Sequence, residues 1–157
     1  MNKSEKADEK YKRVMGDLKY MDRSLAIACT RGREAVVSRF RTLLHRQKLS
    51  EQQWRVLRLL CDQNSLTAVE ISARSCIHKV SISRILKSLE QRNMVERIAS
   101  TSDLRASYVV LTEHGKAVMA PLVEESTRIN KGIVEAFGYE DYDKLLVLLR
   151  KLSHIND

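Results

Sequence analysis

Between Ser50 and Thr112 the chain sets out helix starts, apolar periodicities and β-rich runs in one order, and that order leaves few folds open. "LSEQQWRVLRLLCD" places Ser50 three residues before Gln53, the capping-box spacing in which two side chains satisfy free backbone N–H groups at a helix start. Trp54, Leu57, Leu60 and Cys61 form the inner stripe of that helix. "SLTAVEISARSC" repeats the logic with Thr67 and Glu70 and predicts a second, short helix. In "HKVSISRILKSLEQRN", residues 78–93, Ile82, Ile85, Leu86 and Leu89 fall at i, i+3, i+4 and i+7, one buried helical face. The helical pitch then turns Val80, Ser83, Arg84, Lys87 and Gln91 to the opposite side. Asn93 ends this helix, a residue that tolerates the left-handed conformation common just past a helix end. "MVERIAS" and "ASYVVLT" are rich in Val, Ile, Tyr and Thr and read as strands. The polar "STSDLR" between them predicts a hairpin with a charged tip. Two short helices followed by such a hairpin make a winged helix-turn-helix, whose second helix lies in the DNA major groove.

The flanks are helical. One Pro and five Gly in 157 residues leave little to break helices, so the expected class is mostly α with a small β-hairpin wing. Residues 1–23 are a polar arm, frayed or weakly helical. From Ser24 a long first helix, within 24–48, carries the stripe Leu25, Cys29, Gly32, Val36, Phe40, Leu43. The winged helix-turn-helix occupies 49–112. Thr112 caps a long helix reaching about Phe137, with a kink expected at Pro121, and "YEDYDKLLVLLRKLSHI" makes a last one. In 113–157 the stripe Val118, Leu122, Ile129, Ile133, Phe137 and the run Leu145, Leu146, Leu148, Leu149, Leu152 are too apolar to stay exposed and call for a partner.

Charge narrows the partner. The net charge is +8, and residues 24–112 hold fifteen basic against seven acidic side chains, whereas 113–157 are slightly acidic. A localised basic surface favours a polyanion. No apolar run approaches the ~18–20 residues that cross a bilayer, and the N-terminus lacks the apolar stretch of a secretion signal. Three widely spaced cysteines, Cys29, Cys61 and Cys76, fit reduced thiols in a cytoplasm rather than a disulfide framework. His45, His78, His114 and His154 are scattered, so no metal site is expected. No spacing gathers a nucleophile, base and orienter, and neither a glycine-rich phosphate loop nor H-E-x-x-H occurs. A cofactor-free, non-enzymatic protein is expected.

The stretches "VSISRILKSLEQRNMVER", "SDLR" and "VVLTEHGKAV" resemble the multiple antibiotic resistance regulator (MarR) family from Ser24 onward. The resemblance implies a homodimer on a pseudo-palindromic double-stranded DNA operator, with the first helix, 24–48, shared with the dimerisation region and the last two helices, in 113–157, completing the intersubunit core. It also implies that Arg105 enters the minor groove while Asp103 orients it, in keeping with the pull of narrow grooves on arginine. Leu104 stands where an additional basic residue is frequent, and Asn93 where glycine is usual. The DNA-contacting set is then Lys79, Val80, Ser81, Ser83, Arg84 and Lys87 with the wing pair Asp103 and Arg105. Arg84 and Lys87 suit phosphates or guanine edges, Ser83 and Gln91 bases or backbone, and Val80 a thymine methyl. "RGREAVVSRFR" and "LSEQQWRVLRLL" look like the branch that governs aromatic-acid catabolism, including homoprotocatechuate and hydroxycinnamate repressors.

The residues offer an effector site of matching chemistry. Arg33 sits on the margin of the first helix's apolar stripe, where a cation needs a partner. A ligand carboxylate is one such partner, gripped bidentately, and a salt bridge or a side chain reaching solvent is the alternative. Trp54 can wall an aromatic pocket or serve as plain core. Tyr20 and Ser24 can bond a ligand's polar groups. Cys29, near Arg31 and Arg33, opens a rival mechanism of thiol oxidation, although burial as a small apolar residue is the simpler reading; Cys61 and Cys76 read as core. The leading expectation is a repressor released by an aromatic acid. The rivals are a redox sensor acting through Cys29 and a helical interaction module without DNA.

Overall fold

A computed structural model describes residues 3–16, 24–99 and 107–155. The chain forms two compact units, Met1–Arg39 and Phe40–Asp157. The expected contacts Tyr20, Asp103 and Arg105 fall outside the described residues.

The first unit is helical. Helix α1 spans Lys3–Met15, so the arm is a helix over most of its length. Helix α2 spans Leu25–Val37, with the Ser24 hydroxyl accepting from the Ile27 amide at 3.4 Å. The long first helix is not continuous, because a 3-10 turn at Ser38–Phe40 separates α2 from α3, Arg41–Arg46. Two β-branched valines lead into Ser38, whose hydroxyl donates back to the Ala35 carbonyl at 3.1 Å. That bond draws a carbonyl away from the regular ladder. No residue of α2 is buried. Leu25 and Val36 are exposed, and Cys29 is exposed rather than buried, whereas the last two members of the stripe, beyond α2, belong with the core: Leu43 is buried in it and Phe40 packs against it.

The second unit is built on the winged helix. Helix α4 spans Glu51–Gln63 and α5 spans Ala68–Ser75; both open on complete capping boxes, Ser50 with Gln53 and Thr67 with Glu70. Helix α6, Lys79–Gln91, buries Ile82, Ile85, Leu86 and Leu89 as the periodicity requires, each such side chain contributing about 1.5–3 kcal/mol. Asn93 follows with φ 54°. Strands β2, Val95–Ala99, and β3, Ser107–Leu111, pair antiparallel with Val95 opposite Leu111 and Ala99 opposite Ser107. A third strand was not expected. Ser65–Thr67, read as the lead-in to a helix cap, forms β1 and pairs antiparallel with β3, giving the order β1-β3-β2. Three residues are too few to show a period of two, so only the partner strand reveals them. Leu66, Ile71, Ile82, Val95 and Val109 meet in the core beneath sheet and helices.

Helix α7 spans Glu113–Phe137, is capped by Thr112 and runs unbroken through Pro121. Its expected partner-seeking stripe divides. Leu122 is buried in the chain's own core, with Val118 and Ile129 packed against it, while Phe137 is exposed. Helix α8, Tyr139–Ser153, has no buried residue, and Leu145, Leu148 and Leu149 are exposed. Cys76, expected in the core, is exposed; it ends α5 in the left-handed conformation, which turns its side chain out at the bend. Cys61 is half-buried against the core.

Candidate nucleic-acid interface

The candidate interface is the outer face of α6. Lys79, Val80, Ser83, Arg84, Lys87 and Gln91 are all exposed, and Ser81 is half-buried beside them. No acidic residue stands in the first turn, so the helix's positive end is not offset there. His78 is the N-cap: its Nδ1 accepts from the Val80 amide at 3.4 Å. The one carboxylate of α6, Glu90, is engaged by Arg97 Nε of β2 at 2.7 Å. The face turned outward is therefore cationic and hydrogen-bonding, with Val80 as its single apolar feature at 58% exposure.

Three polar ties hold the far end of the same helix. The Gln53 amide of α4 donates to the Ser88 hydroxyl at 3.1 Å. Glu90 holds Arg97, as above. Arg92, the C-cap, donates from Nη1 to the Lys48 carbonyl at 3.0 Å and from Nη2 to the Gln47 carbonyl at 2.9 Å. Sequence reasoning passed over Arg92; the signal was a cation beside the helix-ending Asn93, where such side chains reach unpaired carbonyls. Strands β2 and β3 form the wing, and residues 100–106 between them lie outside the described residues.

The expected effector residues distribute as follows. Trp54 is half-buried on α4 and packs against the core. One turn further on the same face, Arg58 pairs with Asp62 at 3.2 Å, its side chain about one-third exposed. This arginine was missed, although its four-residue spacing from Trp54 was legible. Arg33 is exposed on α2, so the cost of burying a cation, the original reason for giving it a ligand, does not apply in the single chain. The Ser24 hydroxyl caps α2. Burial pushes the Cys61 thiol above its usual range, opposed by the nearby Arg58, which disfavours a reactive thiolate. A cleft of about 750 Å³ opens between the end of α4, the sheet and α7, lined by Cys61, Ile98, Glu113, Lys116 and Met119 among others. Arg33, Trp54 and Ser24 do not line it. Among the described residues no cluster of His, Cys, Asp or Glu could hold a metal, and no helix is long and apolar enough to cross a membrane.

Comparison with known proteins gives this geometry its context. A model of the MarR family matches residues 49–107. The homoprotocatechuate degradative operon repressor of Escherichia coli is 33% identical over 131 residues, 83% of this chain and 88% of the relative. The crystal structure of NadR in complex with 4-hydroxyphenylacetate aligns with a TM-score of 0.75 at 31% identity, over 85% of this chain and 94% of that one. CouR, a transcriptional repressor bound to a 23-mer DNA duplex, aligns with a TM-score of 0.76 at 27% identity, over 88% of this chain and 99% of the other. The amphipathic helix, the two-stranded wing and the capped helices before them are those of a winged helix-turn-helix regulator, and the chain belongs to the MarR family.

Proposed function

We propose that the chain is a homodimeric repressor that binds a pseudo-palindromic operator and is released from it by a small aromatic carboxylic acid. The observation that carries the DNA part is the α6 face, on which Lys79, Val80, Ser83, Arg84 and Lys87 stand exposed together. CouR bound to duplex DNA supports it. The dimer is supported by α8, which buries nothing and exposes Leu145, Leu148 and Leu149. Apolar helices of this kind are stabilised by burial against a second copy. Residues 113–157 would form that dimerisation region, and a dimer would space two recognition helices by about one turn of DNA, 34–36 Å. Double substitution of Leu148 and Leu149 to Lys should leave a monomer in sedimentation and abolish operator binding. A dimer that survives it refutes the assignment.

The effector class rests on relatives and on local chemistry. One relative represses a homoprotocatechuate operon and another is solved with 4-hydroxyphenylacetate. In this reading Trp54 would supply an aromatic wall, and Arg58 on the same helix, or Arg33, a guanidinium for a carboxylate. Tyr20 and Ser24 would complete the polar contacts. A ligand works by binding the non-DNA conformation better, by the coupling free energy it delivers. The test is release of labelled operator by p-coumarate, ferulate, 3,4-dihydroxybenzoate and 4-hydroxyphenylacetate. Arg33→Ala and Arg58→Ala, assayed side by side, show which cation the acid needs. The exposed Cys29 favours a second reading, thiol oxidation. That reading prevails if no acid acts at millimolar concentration while peroxide releases DNA from the parent and not from Cys29→Ser.

A further inference from the structure

The end of α3 is gripped from two sides. On one side Arg46 pairs with Glu125 of α7 at 3.2 Å. On the other, the next two carbonyls, of Gln47 and Lys48, accept both Nη groups of Arg92 at the end of the recognition helix. These carbonyls belong to a helix end, where the peptide dipoles leave partial negative charge that a guanidinium complements. Lys48 holds a left-handed φ of 50°, and its amide donates to the His45 carbonyl at 3.0 Å. The turn is thereby shaped to present both oxygens to one planar fork. Three consecutive residues, 46 to 48, thus join α7 to α6, Arg46 through its side chain and Gln47 and Lys48 through their carbonyls.

We infer that Arg92 is a positioning residue that fixes the recognition helix relative to α7, and so sets the half-site spacing the dimer accepts. The inference rests on the dimer reading given above. Arg92 touches no base in it; its action is to remove a rotational freedom. The other ties run elsewhere: Glu90 secures the wing through Arg97, and Ser88 secures α4 through Gln53. Among the described residues, Thr112 joins the turn after the recognition helix to the start of α7, and the Arg92 tie ends on the segment that holds α7 further along, at Glu125. A lysine cannot replace the fork, since one ammonium cannot present two parallel N–H groups to two carbonyls.

The test uses an inverted-repeat duplex selected by the full-length protein from a random pool, together with the same duplex carrying one or two base pairs inserted or deleted at its centre. Each inserted pair moves one half-site along the helix and rotates it, so a rigid dimer loses affinity steeply. A single inserted pair should cost the parent roughly tenfold or more, and should cost Arg92→Gln about threefold or less. Arg92→Lys should lie near Arg92→Gln, and it supplies the answer if the glutamine variant fails to fold. Glu90→Gln should keep the parent's steep profile, because its tie reaches the wing. A merely stabilising role for Arg92 would lower affinity equally for every spacing. Profiles equally steep in parent and Arg92 variants therefore overturn the inference. A flat profile in the parent itself overturns the dimer reading, and the inference with it.

Discussion

The hydroxyl of Thr112 donates to the Asn93 carbonyl at 2.6 Å, tying the turn after the recognition helix to the start of α7. The same oxygen accepts from the Gly115 amide at 2.9 Å, and the Thr112 amide donates to the Met94 carbonyl at 3.1 Å. One side chain thus caps a helix and closes the junction through which α7 meets the wing. Thr112→Val keeps the shape and removes both hydroxyl bonds. It should destabilise the fold by about 0.5–2 kcal/mol, measured as a lower denaturation midpoint with an unchanged m-value.

Gly115 stands where α7 crosses Met94. A Cβ placed there would run into the Met94 carbonyl oxygen, an atom of the backbone that cannot turn aside. Gly115→Ala should therefore cost about 1–3 kcal/mol or more through overpacking, whereas Gly132→Ala, where a Cβ meets nothing within 4 Å, should be tolerated. Equal thermal midpoints for the two variants would refute the packing argument.

The two DNA contacts should separate by groove. Arg84→Ala should weaken operator binding by about 1–3 kcal/mol and relax base preference if the guanidinium reads a base bidentately. Arg105→Ala should weaken binding with little change in major-groove preference. Each lost phosphate contact should also shallow the dependence of log affinity on log salt by about 0.9. Variants that both bind like the parent would exclude the winged helix-turn-helix as the interface.

The cap of α5 is acid-sensitive. The backbone amide of Thr67, and then its hydroxyl, donate to the Glu70 carboxylate, both at 2.8 Å, and hold its pKa below the ordinary value. A carboxylate with a depressed folded pKa contributes stability that is present above its unfolded pKa and lost as pH falls through the folded one. Thermal midpoints should thus drop more for the parent than for Glu70→Gln as pH is lowered below the usual glutamate range.

Much of this was legible because local chemistry and tertiary packing agree. The caps at Ser50, Thr67 and Thr112, the left-handed Asn93 and the buried face of α6 each follow from residues within one or two turns. What escaped reading depends on residues distant in the chain. Strand β1 exists because β3 offers it a ladder, and Arg92 matters because Gln47 and Lys48 lie beside it in space. The stripe of α2 misled for the same reason: apolar periodicity shows that a face seeks burial, and nothing about which chain supplies the cover. Cys29 was misjudged with it, since a small apolar residue on such a face is buried only when the cover arrives, whereas Cys76 is exposed because it ends α5 in the left-handed conformation.

Val80, exposed among cations, gives the outer face of α6 one feature that neither salt nor phosphate can mimic. An aliphatic side chain in a major groove reads a methyl group, and the pyrimidine C5-methyl that distinguishes thymine is also what a methyltransferase adds to cytosine. Against DNA, the valine by itself would not distinguish the two sources of that carbon, although the neighbouring thymine O4 accepts a hydrogen bond where cytosine N4 donates one. Operator affinity would then carry a record of DNA methylation at one base pair, lowered by deoxyuridine in place of thymidine there and restored in part by 5-methylcytosine.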